Sequence, residues 1–161
     1  MQTFLRFLFL LSITFWIGSI FFFSLITAPS IFKVLPRETA GDLISDIFPK
    51  YYLIAYVCGG VALIALILSW VMENTLSGIS NSLRIVILVI MLGLAAFAGT
   101  VIRPQALEVR SEMRDLSEDS SRYQEIQTSF SKLHKQSVII NSIVFLLGIA
   151  IVFITAYNYK E

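Results

Sequence analysis

The chain has 161 residues, of which 57% are hydrophobic and only 14% charged, with a formal net charge of +1 and one cysteine, Cys58. Its length argues for one domain, and its charge fraction falls well below the roughly 25% of soluble domains. A water-soluble globular fold, an internal disulfide and a global field favouring nucleic acid are thereby excluded.

The first element is an apolar block over residues 7–28, preceded by Arg6 and closed by Pro29. No charged residue occurs between Phe7 and Phe32. That run is far longer than the roughly 7–15-residue core of a signal peptide, so it reads as a retained transmembrane helix. Residues 33–50 follow. Ala40, Leu43, Ile44, Ile47 and Phe48 share one helical face, while Glu38, Asp42 and Asp46 lie off it. Pro36 suits a first helical turn. The spacing predicts a short amphipathic helix over 37–48, lying at the membrane surface.

Three more blocks are long enough to cross about 30 Å of hydrocarbon: residues 51–72, 85–102 and 138–157. Lipid offers no partners to backbone amides, and the alternation of a closed barrel is absent, so all four blocks are helices. Tyr51, Tyr52 and Trp70 bracket the second, and Tyr157 and Tyr159 end the fourth, where interfacial aromatics belong. A short polar link over 73–84 carries Asn74, Ser77, Gly78 and Asn81.

Residues 103–137 form the one long polar stretch. Val109, Met113 and Leu116 are helically spaced, as are Tyr123, Ile126, Phe130 and Leu133. Ser117-Glu118-Asp119-Ser120-Ser121 reads as a turn with capping residues. A helical hairpin over 105–135 is expected, extending the third and fourth helices and bending near Pro104. The fold class is therefore all-α: an integral membrane four-helix bundle in a single domain over 1–161.

Arg6, Arg84 and Lys160 lie on one side of such a bundle; Lys33, Arg37, Lys50, Arg103, Arg110, Arg114, Arg122, Lys132 and Lys135 lie on the other. The excess of Lys and Arg places loops 33–50 and 103–137 in the cytoplasm and both termini outside, in a bacterial inner membrane.

Small and polar residues mark helix contacts in lipid. The second helix carries Ala55, Gly59, Ala62, Ala65 and Ser69, and the third Gly93, Ala96, Gly99 and Thr100. The fourth places His134, Asn141, Gly148 and Thr155 at seven-residue steps, with Ser137 beside them. This polar seam should point inward. The two halves also echo each other. Ala28-Pro29-Ser30-Ile31-Phe32-Lys33-Val34 answers Arg103-Pro104-Gln105-Ala106-Leu107-Glu108-Val109. Phe48-Pro49-Lys50-Tyr51-Tyr52 answers Phe130-Ser131-Lys132-Leu133-His134. Such halves would be parallel repeats about an axis normal to the membrane.

Trp16-Ile17-Gly18, Phe23, Ala28-Pro29-x-x-Phe32-x-x-Leu35-Pro36-Arg37-x-x-x-Gly41 and Phe48-Pro49-x-Tyr51-Tyr52 together resemble the transmembrane-protein-205-like family. Ile102-x-Pro104 and Phe130-x-x-Leu133-His134-x-x-Ser137-x-x-x-Asn141 extend the likeness over nearly the whole chain. The resemblance implies a four-helix membrane domain, in a group classed mainly as of unknown function. A more distant similarity reaches copper-resistance-D-like membrane proteins. Metal or haem handling of that kind leads one to expect several histidines, and this chain has one.

His134, Ser137 and Asn141 are the candidate functional seam, and Arg37, Arg103 and Lys132 a candidate basic mouth for an anionic headgroup or metabolite. Against these stand a histidine hydrogen-bonded at the interface and ordinary topology-setting charge. One His and one Cys make no metal centre, so no metal is expected. One proximal histidine suffices for haem, which leaves His134 as a haem-ligand alternative to the expectation of no cofactor. Ser137 and His134 share a helix, but no acid within the spans orients the imidazole, so no catalytic set is predicted. Three readings stay open. The favoured one is a non-enzymatic protein that assembles with itself or a membrane partner in the bilayer, docking through the hairpin. The others are a small-molecule or ion pathway along the seam, and a haem- or metal-handling protein using His134.

Overall fold

The computed structural model describes residues 1–73, 78–114, 116–117 and 119–158. Four long helices account for nearly all of them, each long and apolar enough to cross a membrane: Gln2–Val34, Arg37–Met72, Ser80–Arg114 and Ser121–Tyr157. The chain is a multi-pass membrane protein built as a four-helix bundle.

The first rod is α1 (Gln2–Phe22), a π-helical turn over Phe23–Thr27 and α2 (Ala28–Val34). It does not close at Pro29, as the sequence suggests. A proline ring clashes with the carbonyl four residues back and removes one hydrogen bond. Here that carbonyl, on Leu25, lies inside the wide turn, whose amide at Ala28 reaches back to Phe23. The turn takes up the proline and the helix runs on. It stops at Leu35, held extended at φ −104° and ψ 149° by the steric demand of Pro36 that follows.

α3 (Arg37–Glu73) is one continuous helix with Pro49 inside it. Its start is set by the Pro36 carbonyl, which accepts the Ala40 amide at 2.9 Å. The separate surface helix expected over 37–48 is therefore not formed. That segment is helical, but it is the first part of the second span. Its apolar face continues in phase into the spanning helix, and Ala40 and Ile44 are buried by protein rather than laid on lipid.

The third rod repeats the design of the first: α4 (Gly78–Phe97), a π turn over Ala98–Ile102 and α5 (Arg103–Arg114). Again the carbonyl that Pro104 would strike, on Thr100, falls inside the wide turn, and the Arg103 amide reaches back to Ala98. The bend expected near Pro104 takes this form. α4 begins at Gly78, so most of the predicted 73–84 link is helical, while Asn74 and Ser77 lie outside the described residues. α6 (Ser121–Asn158) completes the bundle. The Ser120 hydroxyl accepts the Tyr123 amide at 3.1 Å, the N-cap expected of that turn. The hairpin of α5 and the first turns of α6 extends the two spans as predicted. Glu118, Tyr159 and Lys160 fall outside the described residues.

α1 packs on α3, α3 on α4, α4 on α6, and α6 back on α1. This ring is an up-and-down bundle with short connections. Phe15, Ile64, Leu146 and Phe153 are each more than 60% exposed, an outward apolar belt that only lipid can cover. Inside, Ala55, Ala62, Ala65 and Ser69 of α3 are buried as their spacing predicts, and Trp16 is 1% exposed. The buried stripe of the third rod differs from expectation. It is Leu88, Met91, Ala95, Ala98 and Ile102, while Gly93 meets open space. Leu92 of α4 and Trp16 of α1 fill the space over Gly59 of α3.

Candidate functional site

Both π turns lie near the hairpin end of the bundle, and the aromatic residues of α3 pack between them. Phe23, from the first turn, stands 5.6 Å from Phe48 and 5.3 Å from Tyr51, ring centre to ring centre. Tyr52 stacks on Phe48 at 6.1 Å and on Tyr56 at 6.4 Å. Gly99, in the second turn, makes this possible. A side-chain carbon there would collide with the Tyr56 hydroxyl and lie 3.1 Å from the Tyr52 ring. The Tyr56 hydroxyl donates at 3.5 Å to the carbonyl of Ala95.

Across the bundle diagonal stands α6. The Tyr51 hydroxyl donates to Asn141 Oδ1 at 3.2 Å, and the Tyr52 hydroxyl lies near Ser137. Only a long side chain reaches between helices that are not neighbours in the ring. Tyr51 and Tyr52, read from sequence as members of an interfacial belt, are instead buried at 6% and 5% exposure. Burial of a tyrosine calls for a partner for its hydroxyl, and α6 supplies one to Tyr51 in Asn141. The spaced string Phe48-Pro49-x-Tyr51-Tyr52 was the one sequence signal that marked them.

Arg103 opens α5 directly after the second π turn. It is half-buried and stands one turn after Gly99, against whose backbone the Tyr52 ring packs. Its Nε is buried and has no hydrogen-bond partner. A cation in this position normally finds a carboxylate or a carbonyl, because desolvating it alone is costly.

The other predicted residues are dispersed. His134 is exposed, its ring stacked on Phe130 at 6.5 Å. It leaves the seam for a geometric reason. A seven-residue repeat drifts about 20° per step on a straight α-helix, and at His134 α6 has risen into the hairpin. Asn141 faces the bundle half-buried, and Gly148 closes on Ile17, where an added carbon would lie 2.7 Å away. Thr155 is buried and bonded to the Ile151 carbonyl at 2.7 Å. Arg37 and Lys132 are exposed, so of the three mouth residues only Arg103 turns inward.

A second cluster caps the first on the hairpin side. Arg110 donates to the Ser45 hydroxyl at 2.8 Å, to the Glu38 carbonyl at 2.8 Å and to Asp42 at 2.9 Å. Its guanidinium lies flat over Gly41, 2.6 Å from where a side-chain carbon would stand. Arg114 reaches the same Asp42 at 2.6 Å and Glu38 at 3.5 Å. Arg122 ties α6 to Glu112 of α5 at 2.8 Å; hydrogen bonds to Glu112 and then Glu125 push its guanidinium still higher in pKa. Glu38 and Asp42, spaced one helical turn apart off the apolar face, were the sequence trace of this latch.

The site thus gathers a permanent cation, three phenolic hydroxyls, one aliphatic hydroxyl and one amide. Arg103 cannot act as an acid or base near neutral pH, and His134, which could, lies apart. The arrangement suits holding a negatively charged group rather than moving protons.

Residues 11–115 match the family described as "Domain of unknown function (DUF4149)". A stretch of 51 residues is 37% identical to an uncharacterized protein of Aquifex aeolicus, covering 32% of this chain and 39% of that relative. The match therefore spans well under half the length of that protein. No solved structure matches the chain. These matches do not show the finer likenesses, to the transmembrane-protein-205-like family and to copper-resistance-D-like proteins.

Proposed function

Since this chain belongs to the DUF4149 family, whose description assigns no activity, we propose from its own residues that it is a non-enzymatic membrane protein that binds an anionic ligand at the hairpin end of its bundle. The observation that carries this reading is the buried, unpartnered Nε of Arg103, beside the tyrosines that reach Ser137 and Asn141. The hairpin and loop 33–50 face the cytoplasm in this reading, on the strength of their Lys and Arg. Asn141 orients Tyr51, Ser137 lies beside Tyr52, and Arg103 meets the ligand. His134 is left as a surface residue, with no haem or metal assigned to it.

Binding is favoured over passage because the Tyr51–Asn141 bond from α3 to α6 closes the seam across the bundle. A docking role for the hairpin, with a second copy or another membrane protein, draws less support. Its arginines Arg110, Arg114 and Arg122 are already engaged by this chain's own carboxylates. The transmembrane-protein-205-like resemblance fits the binding reading, since its strings include Tyr51, Tyr52, Pro104, Ser137 and Asn141.

The test is gentle extraction followed by native mass spectrometry. The wild-type chain should retain a small-molecule adduct, and Arg103→Gln should lose it. Wild-type protein that leaves its native membrane carrying no adduct refutes the reading.

A further inference from the structure

We infer that the ligand is the phosphate-bearing headgroup of an anionic lipid, entering sideways from the leaflet on the hairpin side. This rests on the binding reading above and names its ligand class. The first ground is chemical fit. A guanidinium presents a planar fork of donors that matches phosphate oxygens, and among the described residues no carboxylate pairs with Arg103. The phenolic and aliphatic hydroxyls around it are neutral, so they add no negative charge to compete with the phosphate.

The second ground is the direction of access. From the water side, the Arg110 latch pins α5 to α3 at Glu38, Asp42 and Ser45. This lies about two helical turns beyond Arg103 on one helix and about two to four turns before Tyr52 on the other. The lipid side of the same end is apolar. Leu53, Phe97 and Val101, on α3, α4 and the second π turn, are 60%, 49% and 38% exposed. They offer an apolar track along which an acyl chain can lie with its phosphate at Arg103. The third ground is position. Arg103 sits where the apolar span ends, the depth at which headgroup phosphates of the adjoining leaflet are concentrated.

The experiment titrates purified full-length chain in neutral detergent with three probes, read by native mass spectrometry: phosphatidylglycerol, a diacylglycerol with the same tails, and inorganic phosphate. Wild type should bind phosphatidylglycerol saturably and one to one, and neither of the others comparably. Arg103→Gln should weaken that binding by about tenfold or more, the usual scale for losing a charge-assisted contact. Lys33→Gln, which removes an exposed charge elsewhere at the same end, should leave it unchanged. Arg103→Lys, which keeps the charge but loses the fork, should fall between; it guards against misfolding of the glutamine variant, and the wild-type titrations need no variant at all. Equal binding of diacylglycerol overturns the inference, because the phosphate is then not read. Equal binding of inorganic phosphate overturns it in favour of a soluble anion and leaves the binding reading standing. Phosphatidylglycerol bound equally by wild type and Arg103→Gln also overturns it. If wild type binds none of the three and carries nothing from the membrane, both readings fall together.

Discussion

Gly59 and Gly60 are chain neighbours with opposite surroundings, and alanine at each should show it. A carbon added at Gly59 would lie 2.5 Å from Leu92 Cδ2 and 2.8 Å from Trp16 Cζ3. Leu92 has rotamers to spare, but Trp16 is 1% exposed and locked between helices, so α1 and α3 must move apart. Overpacking of this kind costs about 1–3 kcal/mol. At Gly60 nothing lies within 4 Å. Both substitutions gain the same helix propensity, about 1 kcal/mol, so it cancels in the comparison and the overpacking term remains. At about 2–4 °C per kcal/mol for a chain this size, the Gly59→Ala protein should melt several degrees below Gly60→Ala in the same detergent. Gly60→Ala itself should match or exceed wild type. A Gly59→Ala protein as stable as its neighbour would mean that the three-helix contact at Trp16 is not packed as described.

Three further outcomes follow from the same structure. Tyr51→Phe leaves Asn141 without its donor across the diagonal; helix–helix hydrogen bonds in membranes are worth about 0.5–2 kcal/mol, and reversible unfolding in mixed micelles should register a loss in that range, with no loss refuting the bond. Asp42→Asn removes the acceptor that Arg110 and Arg114 share. These groups are solvent-exposed enough that the cost in stability stays under about 1 kcal/mol, yet trypsin should cut at Arg110 and Arg114 faster than in wild type, and an unchanged digestion pattern would deny the latch. A cysteine in place of Ser120 should resist a membrane-impermeant thiol reagent in intact cells and react once the membrane is opened; ready labelling of intact cells reverses the orientation.

The bundle was legible because length and apolarity alone decide it: an uninterrupted block of some twenty apolar residues has one stable home. The hairpin was legible for a related reason, since Val109 and Met113 on one arm and Ile126 and Phe130 on the other keep helical spacing outside the membrane. The two π turns were not. Periodicity is judged against 3.6 residues per turn, and a single wide turn leaves no compositional mark beyond the proline that follows it. Seen in three dimensions, they strengthen the echo between the halves. Each wide turn stands directly before an X-Pro pair, and the Phe48–Tyr52 stack on α3 has its counterpart in Phe130–His134 on α6. The burial of Tyr51 and Tyr52 was hidden because tyrosine serves equally well at a lipid–water boundary. Only the packing against α6, with the Tyr51–Asn141 bond between residues far apart in the chain, separates the two roles. His134 shows the converse: residue type and spacing favoured it, and helix drift carried it outward.

The over-wide turn at Ala98–Ile102 also acts as an angular spacer. It holds one residue more than an ordinary helical turn would, and one residue is worth about 100° of rotation about the axis. Everything after it, Arg103 and Arg110 included, owes its compass bearing to that insertion. Shorten the segment by a residue and the rod would still be helical and still long enough to span, but the cation would swing away from the tyrosines and the latch would face empty space.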